Sequence, residues 1–372
     1  MKPNVQTVMR LMEKLAPSRL AEDWDNTGLL IGSRSWPVSK ILAALDPTLQ
    51  TVIHAAKNGY DMIITHHPVI FSPIKSIDFD TPLGRIIGLC HDKRISVFAA
   101  HTNLDSTKGG VNDVLAERLG LQNCSVFIPE ASPPLFKLVV YVPEEAEGKV
   151  LAAYNNTGKG VIGNYNSCAF RSKGTGSFFA REEAKPFNGD RGMMNEARES
   201  KLEFTLGKQD LSLVLKAVLS VHPYETPAYD IYPLKADDSA EGLGRIGELP
   251  EKSTLAELAI DIKKNFGLPA LRYAGNPSLS VKKIAICTGS GSSLMKNFFR
   301  SDADVYISGD LGHHNAIDVA ESNRGLIDLG HFTSERIVLD SLCMNLRDLI
   351  SKDGVDILIA PYEMEENPFK TV

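Results

Sequence analysis

Short β-branched and aliphatic runs, each too short to be a helix, alternate with segments of helical periodicity at both ends of the chain. Three such runs are "KILAALD" (40–46), "DMIITHH" (61–67) and "ISVFAAHTNLD" (95–105). Between them "TLQTVIHAAKNG" and "PLGRIIGLCHDK" carry apolar residues at helical spacing and end in Gly or Lys. This rhythm admits few solutions. A parallel pair of strands needs a crossover, usually a helix, so the pattern predicts a mainly parallel sheet covered on both faces.

The rhythm stops near residue 128 at "IPEASPPLF", where three prolines break any helix or central strand, and it resumes later. "VKKIAICTGSGSS" (281–293), "DVYISGD" (304–310), "RGLIDLGHFTSE" (324–335) and "VDILIAP" (355–361) again read as buried strands running into polar loops. The block between reads as strand "FKLVVYV", helix "EEAEGKVLAAYNN", two short strands, strand "KLEFTL", helix "DLSLVLKAVLSV" and strand "AYDIYPL", which approximates the split βαβ, ferredoxin-like order. "KADDSAEGLGRIGELPEKS" (235–253) is rich in Gly, Asp and Ser and reads as a linker that returns the chain. The expectation is one discontinuous α/β domain, residues 1–128 and 245–372, with an α+β domain inserted over 129–244.

Bulk properties narrow the function. At 372 residues, with 43% hydrophobic and 23% charged residues, the chain has the composition of a globular protein of two domains or one domain with an insertion. The net charge of −6 and the lack of clustered Lys and Arg argue against nucleic acid. "MKPNVQTVMRLMEKLAPSRL" reads as an amphipathic first helix, and no uninterrupted apolar run is long enough to span a membrane, so a cytoplasmic protein is expected. The five cysteines, Cys90, Cys124, Cys168, Cys287 and Cys343, form no CxxC pair and read as buried thiols.

Ligands of open α/β sheets bind beyond the carboxyl ends of the strands. Those ends carry Asp46, then His66 and His67, His101 and Asp105, Asp310 with His313 and His314, and His331 with Glu335. Six of the nine histidines fall there, leaving His54, His91 and His222 elsewhere, and imidazole mixed with carboxylate is metal-ligand chemistry. Taken singly, each group has a plainer explanation. Glu335 is placed to cap a helix beginning in "GHFTSERIVLDSL", "HTNLD" reads equally as a polar turn, and His313 and His314 as solvent-facing residues. "TGSGSS" matches no phosphate-binding motif and reads as a strand-to-helix turn. Adjacent side chains on an extended segment point in opposite directions, so His66 and His67 suit two metals, or one ligand and one supporting residue, better than one chelated ion.

"THHPVIF", "HTNLD" and "GHFTSE", with "ALDPT" before them and "GDLGHHNAID" ahead of the last, occur in the order found in the NIF-three-like family, also called GTP cyclohydrolase I type 2-like proteins, and the chain resembles that family over both outer blocks. The resemblance implies paired α/β layers around a dinuclear metal site in a toroidal homohexamer. It implies His66, His67, Asp105, His331 and Glu335 as ligands, with Glu335 bridging and His66 and His67 serving different metals. Asp46, His101 and His314 fall near that site as supporting or substrate-facing positions. "VHPYETPAYDIYPL" resembles the PII-like or CutA-like domain inserted in longer bacterial members. Imidazole without thiolate suits two ions of zinc, iron, manganese or cobalt, zinc foremost. The expected activity is metal-dependent hydrolysis of a nucleotide or other phosphate-containing small molecule; the alternative is a non-catalytic metal-binding regulatory or sensing scaffold. The family name implies attack of water on the guanine ring of GTP, yet the sequence contains no guanine-reading motif.

Overall fold

Apolar runs from both ends of the chain meet in one sheet of the computed structural model, which describes residues 3–130, 134–235 and 241–370. Its strand order is Gly28–Ile31, Ser96–Ala99, Met62–Thr65, Lys40–Ala44 and Leu358–Pro361. The last four are mutually parallel, and Gly28–Ile31 closes one edge antiparallel to Ser96–Ala99. Alternate residues serve opposite faces. Ile41, Ala43, Met62 and Ile64 pack under the helices Val5–Leu15 and Val338–Lys352, while Leu42, Ile63 and Val97 pack under Leu49–Lys57 and Pro82–Lys93. Burial on both faces explains the unbroken apolar sequence of these strands. Asn4 caps the first helix in a reciprocal box with Thr7, and the apolar stripe Val5, Val8, Leu11 and Met12 is fully buried.

A second sheet runs Arg272–Ala274, Gly325–Asp328, Val305–Gly309, Ser280–Ser290, Gly242–Thr254 and Gln122–Pro129. Its middle three strands are parallel and the rest antiparallel. Gly242–Thr254 corrects the sequence reading, since most of the stretch taken for a linker is a strand between Ser280–Ser290 and Gln122–Pro129. Its glycines disguised it. Gly244, at φ +67°, is held against the Ile286 carbonyl, where a Cβ would collide. The strand Gln122–Pro129 ends at the first proline of the break, whose residues 131–133, like the linker residues 236–240, lie outside the described residues.

Two compact units result, Met1–Glu130 with Ser239–Val372, and Ala131–Asp238. In the second, Leu135–Pro143, helix Glu147–Asn155, Ala169–Phe179, Met194–Gly207, helix Lys208–Leu219 and Tyr229–Pro233 follow one another, and the antiparallel strand order 169–179, 194–207, 135–143, 229–233 is ferredoxin-like. The two short strands read from sequence are one long strand, paired continuously from Ala169 opposite Phe204 to Phe179 opposite Met194; Gly174 and Gly176 interrupt its apolar pattern. Cys90, Cys287 and Cys343 are buried as expected, but Cys124 is exposed on the edge strand Gln122–Pro129 and Cys168 is half-buried. Among the described residues no helix is long and apolar enough to cross a membrane.

Arg245 on the strand Gly242–Thr254 is buried, pairs with Asp113 through two nitrogens, and donates to the carbonyls of Gly242, Gly244 and Thr107. It fastens the second sheet to the helix Val111–Arg118. Arg245→Ala removes these donors while leaving Asp113 and the carbonyls in place, and we expect a loss of about 3 kcal/mol or more, read as a lower midpoint in urea denaturation.

Candidate metal centre

Both sheets of the first unit deliver side chains to one place. From the first sheet, Met62–Thr65 ends in His66 and His67, whose amides donate to the carbonyls of Ala44 and Leu45. Ser96–Ala99 ends in His101 and the short helix Thr102–Ser106, which carries Asp105. From the second sheet, Gly325–Asp328 ends in Gly330 and the helix His331–Arg336, which sets His331 and Glu335 one turn apart. "HTNLD" is thus a turn of helix rather than a plain polar turn.

The Glu335 carboxylate, buried among these groups, faces two sets of them. Its Oε2 lies 3.1 Å from His67 Nε2 and 3.1 Å from His331 Nε2, and those two nitrogens are 3.2 Å apart. Its Oε1 lies 3.5 Å from His66 Nε2, which is 3.8 Å from Asp105 Oδ1. His67, His331 and Glu335 therefore form one group able to hold a metal ion, and His66, Asp105 and Glu335 another, with Glu335 common to both. His66, His67 and His101 form a third. The adjacent histidines meet different oxygens of the same carboxylate, but they do not point in opposite directions as an extended segment would have them, since their ring centroids lie 5.0 Å apart in one cluster.

The other ring nitrogens are anchored. His67 Nδ1 is 2.8 Å from Asp46 Oδ1, His331 Nδ1 is 2.7 Å from Asp310 Oδ2, His101 Nδ1 is 2.8 Å from Asp25 Oδ1, and His66 Nδ1 is 3.0 Å from the Ala100 carbonyl. Each partner accepts a hydrogen bond from Nδ1–H, so that Nε2 points inward as the atom available to a metal, the arrangement usual behind metal-ligating histidine. Asp310 holds a left-handed backbone, φ 54°, which is strained for a residue other than glycine.

Two buried atoms of the cluster, His66 Nε2 and Glu335 Oε2, have no hydrogen-bond partner. Orphaned polar atoms at such depth are costly, and a cation bound to them removes the cost. The imidazole and carboxylate donor set fits a borderline divalent ion. Charge follows the same logic. Burial opposes charge on His67, but the hydrogen bond to Asp46 and the Glu335 carboxylate close by outweigh it and hold the ring up to about 10. The Glu335 carboxylate 3.1 Å away, working against burial, raises His331 to about 9. Burial likewise resists ionisation of Glu335, yet the charge on His66 and the close approach of His331, His66 and His67 keep it well below the usual carboxylate range. Burial pushes Asp105 up. Asp25 overcomes its own burial through hydrogen bonds from His101 and Thr102 and falls to about 2.

Of the residues singled out in the sequence, His66, His67, His101, Asp105, His331 and Glu335 are brought together, with Asp46 behind His67. His314 is not: it lies exposed at the start of the helix His313–Glu321, in ring contact with His313. Several participants escaped the sequence reading. Asp25 sits in a polar loop like many others. Asn112 donates to the Asp105 carbonyl and accepts from the Thr288 amide, and Thr288 donates its hydroxyl to Asp105. "TGSGSS" is the wall of the site: the Gly289 amide donates to Ser334, and at φ +63° any Cβ there would overlap Glu335 Oε1. The signal was the glycine pair after a buried strand, which marks close approach of something to the backbone.

The Duf34/NIF3 (NGG1p interacting factor 3) family profile matches residues 3–368. Proteins named GTP cyclohydrolase 1 type 2 homolog from Halalkalibacterium halodurans and Bacillus subtilis are each 39% identical, over 366 and 368 residues respectively, with 98% of both chains covered in each case. Among solved structures, a Bacillus cereus protein related to NIF3 is 35% identical with a TM-score of 0.74, all of both chains being covered. A Staphylococcus aureus protein is 31% identical with a TM-score of 0.84, covering all of this chain and 99% of its own.

Gly289→Ala is expected to displace Glu335 and lower metal uptake while the far-ultraviolet circular dichroism stays that of the parent; unchanged uptake by elemental analysis would remove Gly289 from the site. Acidity has opposite effects on the metal-free and metal-loaded chain. The pairing of protonated His67 with its carboxylates stabilises the metal-free fold in full below pH 6.5 and is lost as pH rises through about 10. Metal must displace that proton, so affinity should rise between pH 7 and pH 9 by about tenfold per pH unit for each proton released, checked by titration calorimetry in buffers of different ionisation enthalpy.

Proposed function

The chain belongs to the Duf34/NIF3 family, and on that premise we propose that it is a dinuclear divalent-metal hydrolase acting on a nucleotide or another phosphate-containing small molecule. One observation carries this reading: a single buried carboxylate, Glu335, presents Oε2 to His67 and His331 and Oε1 to His66 beside Asp105. A carboxylate shared in this way suits two ions a few ångströms apart.

The residues divide their work. His67, His331 and Glu335 would hold one ion, and His66, Asp105 and Glu335 the other. Two bound divalent ions supply an acidified water and polarise a carbonyl, imine or phosphoryl oxygen. Asp46 and Asp310 fix the tautomers of His67 and His331, and Asp25 fixes that of His101, so that His101 Nε2 faces the cluster without serving either bridged group. Zinc, iron, manganese and cobalt fit this donor set, zinc foremost. The reading extends to a cytoplasmic homo-oligomer, a ring of six, with a PII-like role for the inserted unit; light scattering tests the assembly.

GTP heads the substrate panel because the Halalkalibacterium halodurans and Bacillus subtilis relatives carry the name GTP cyclohydrolase 1 type 2 homolog. The metal-loaded protein should turn over one member of a panel of nucleotides and phosphate esters, and Glu335→Ala should abolish that turnover. Binding of the panel without turnover favours a sensing scaffold instead. In His67→Ala and Glu335→Ala the metal content should fall from about two ions per chain with the fold retained, because the ligands stand on loops and short helix turns at the strand ends. Unchanged stoichiometry by elemental analysis rejects the ligand assignment.

A further inference from the structure

A cavity of about 1140 Å³ opens onto His67 and His331, with Arg118, Phe266, Arg272 and Lys370 among its walls. It lies just beyond the upper end of the roughly 300–1,000 Å³ usual for ligand pockets, so the centre has room beside it for the whole of a molecule and not only its reacting atoms. The charges in this cavity are nearly all spoken for. Asp46 and Asp310 orient the two histidines. Asp328 pairs with Arg272 and accepts from the Gly330 amide. Arg336 bonds the Tyr362 carbonyl and faces Glu365, and Lys370 pairs with Glu366.

Arg118 is different. It has no ion pair or hydrogen bond among the described residues, and its guanidinium lies 5.8 Å over the ring of Phe266. It ends the helix Val111–Arg118, whose Asn112 also braces Asp105 and Thr288 in the metal cluster. Arg118 is exposed to the cavity, and the cation–π contact with Phe266 restrains its side chain while leaving the guanidinium N–H groups free to receive a phosphate or carboxylate.

We propose that Arg118, supported by Phe266, is the anion-binding subsite of this cavity and takes the phosphate group of a phosphorylated small molecule whose other end reaches the metals. The assignment rests on the hydrolase reading for the identity of the site and adds the residue that selects for phosphate. Among partly committed cations Arg272 is a secondary contact, since engaging it requires sharing with Asp328.

Tripolyphosphate is the probe, titrated by calorimetry at low salt into the metal-loaded parent protein and into Arg118→Gln and Phe266→Leu, with metal content measured in each. We expect Arg118→Gln to weaken binding about tenfold or more and Phe266→Leu to weaken it less, both at parental metal content. The affinity lost in Arg118→Gln should also shrink as salt is raised in the parent. Equal binding to the parent and Arg118→Gln would place the anion on the metals alone and overturn the proposal, as would absence of binding to the parent. The hydrolase reading fails separately: if no ester is hydrolysed while Arg118-dependent binding persists, the subsite stands and the reaction does not.

Discussion

One buried carboxylate decides what the first unit must be. Glu335 is enclosed by three imidazoles at 3.1 to 3.5 Å and a second carboxylate beyond them. A charge at that depth is tolerable only if cations surround it, and its presence favours the protonated forms of His66, His67 and His331 when protons are the only cations at hand. Divalent ions do the same work without protonating the ligands. The outer carboxylates, Asp46, Asp310 and Asp25, then serve to orient imidazoles rather than to neutralise them, and even the backbone complies, with Asp310 held in a left-handed conformation to reach His331.

This centre is also where the two sheets are joined. His66, His67 and Asp105 stand at the end of the first sheet, His331 and Glu335 at the end of the second. Asn112 and Thr288 bridge the same junction through hydrogen bonds to each other and to Asp105, and Arg245 with Asp113 ties the second sheet to the helix Val111–Arg118 nearby. Displacing either sheet by an ångström would separate the two halves of the ligand set, so packing in the cores is coupled directly to the chemistry at the edge.

Most of this was legible before any coordinates. Strands buried on both faces write continuous aliphatic runs, and they stop where the chain reaches the ligand edge, so the location of the histidines could be read from periodicity alone. What was hidden lacked hydrophobic periodicity. Gly242–Thr254 pairs on both sides but spends positions on Gly242, Gly244 and Gly247, where neighbouring backbone or side chains leave no space for a Cβ, and it looked like a linker. Asp25 and Asn112 act through a few specific hydrogen bonds and Gly289 through space left empty, and neither kind of role has a sequence period. His314, exposed on the first turn of the helix His313–Glu321, belongs to none of the groups able to hold a metal ion, which a motif match alone does not reveal.

The exchange of edge strands between the two sheets bears on how the protein is made. Leu358–Pro361 lies beside Lys40–Ala44, and Gln122–Pro129 lies beside Gly242–Thr254, so neither sheet can be completed from one half of the gene product. During synthesis the first three parallel strands emerge early with His66, His67 and Asp105, yet their sheet keeps an open edge until Leu358–Pro361 has been made. An unpaired edge is the part of a nascent sheet most exposed to wrong partners. The inserted unit, whose strands pair only among themselves, can fold during that wait.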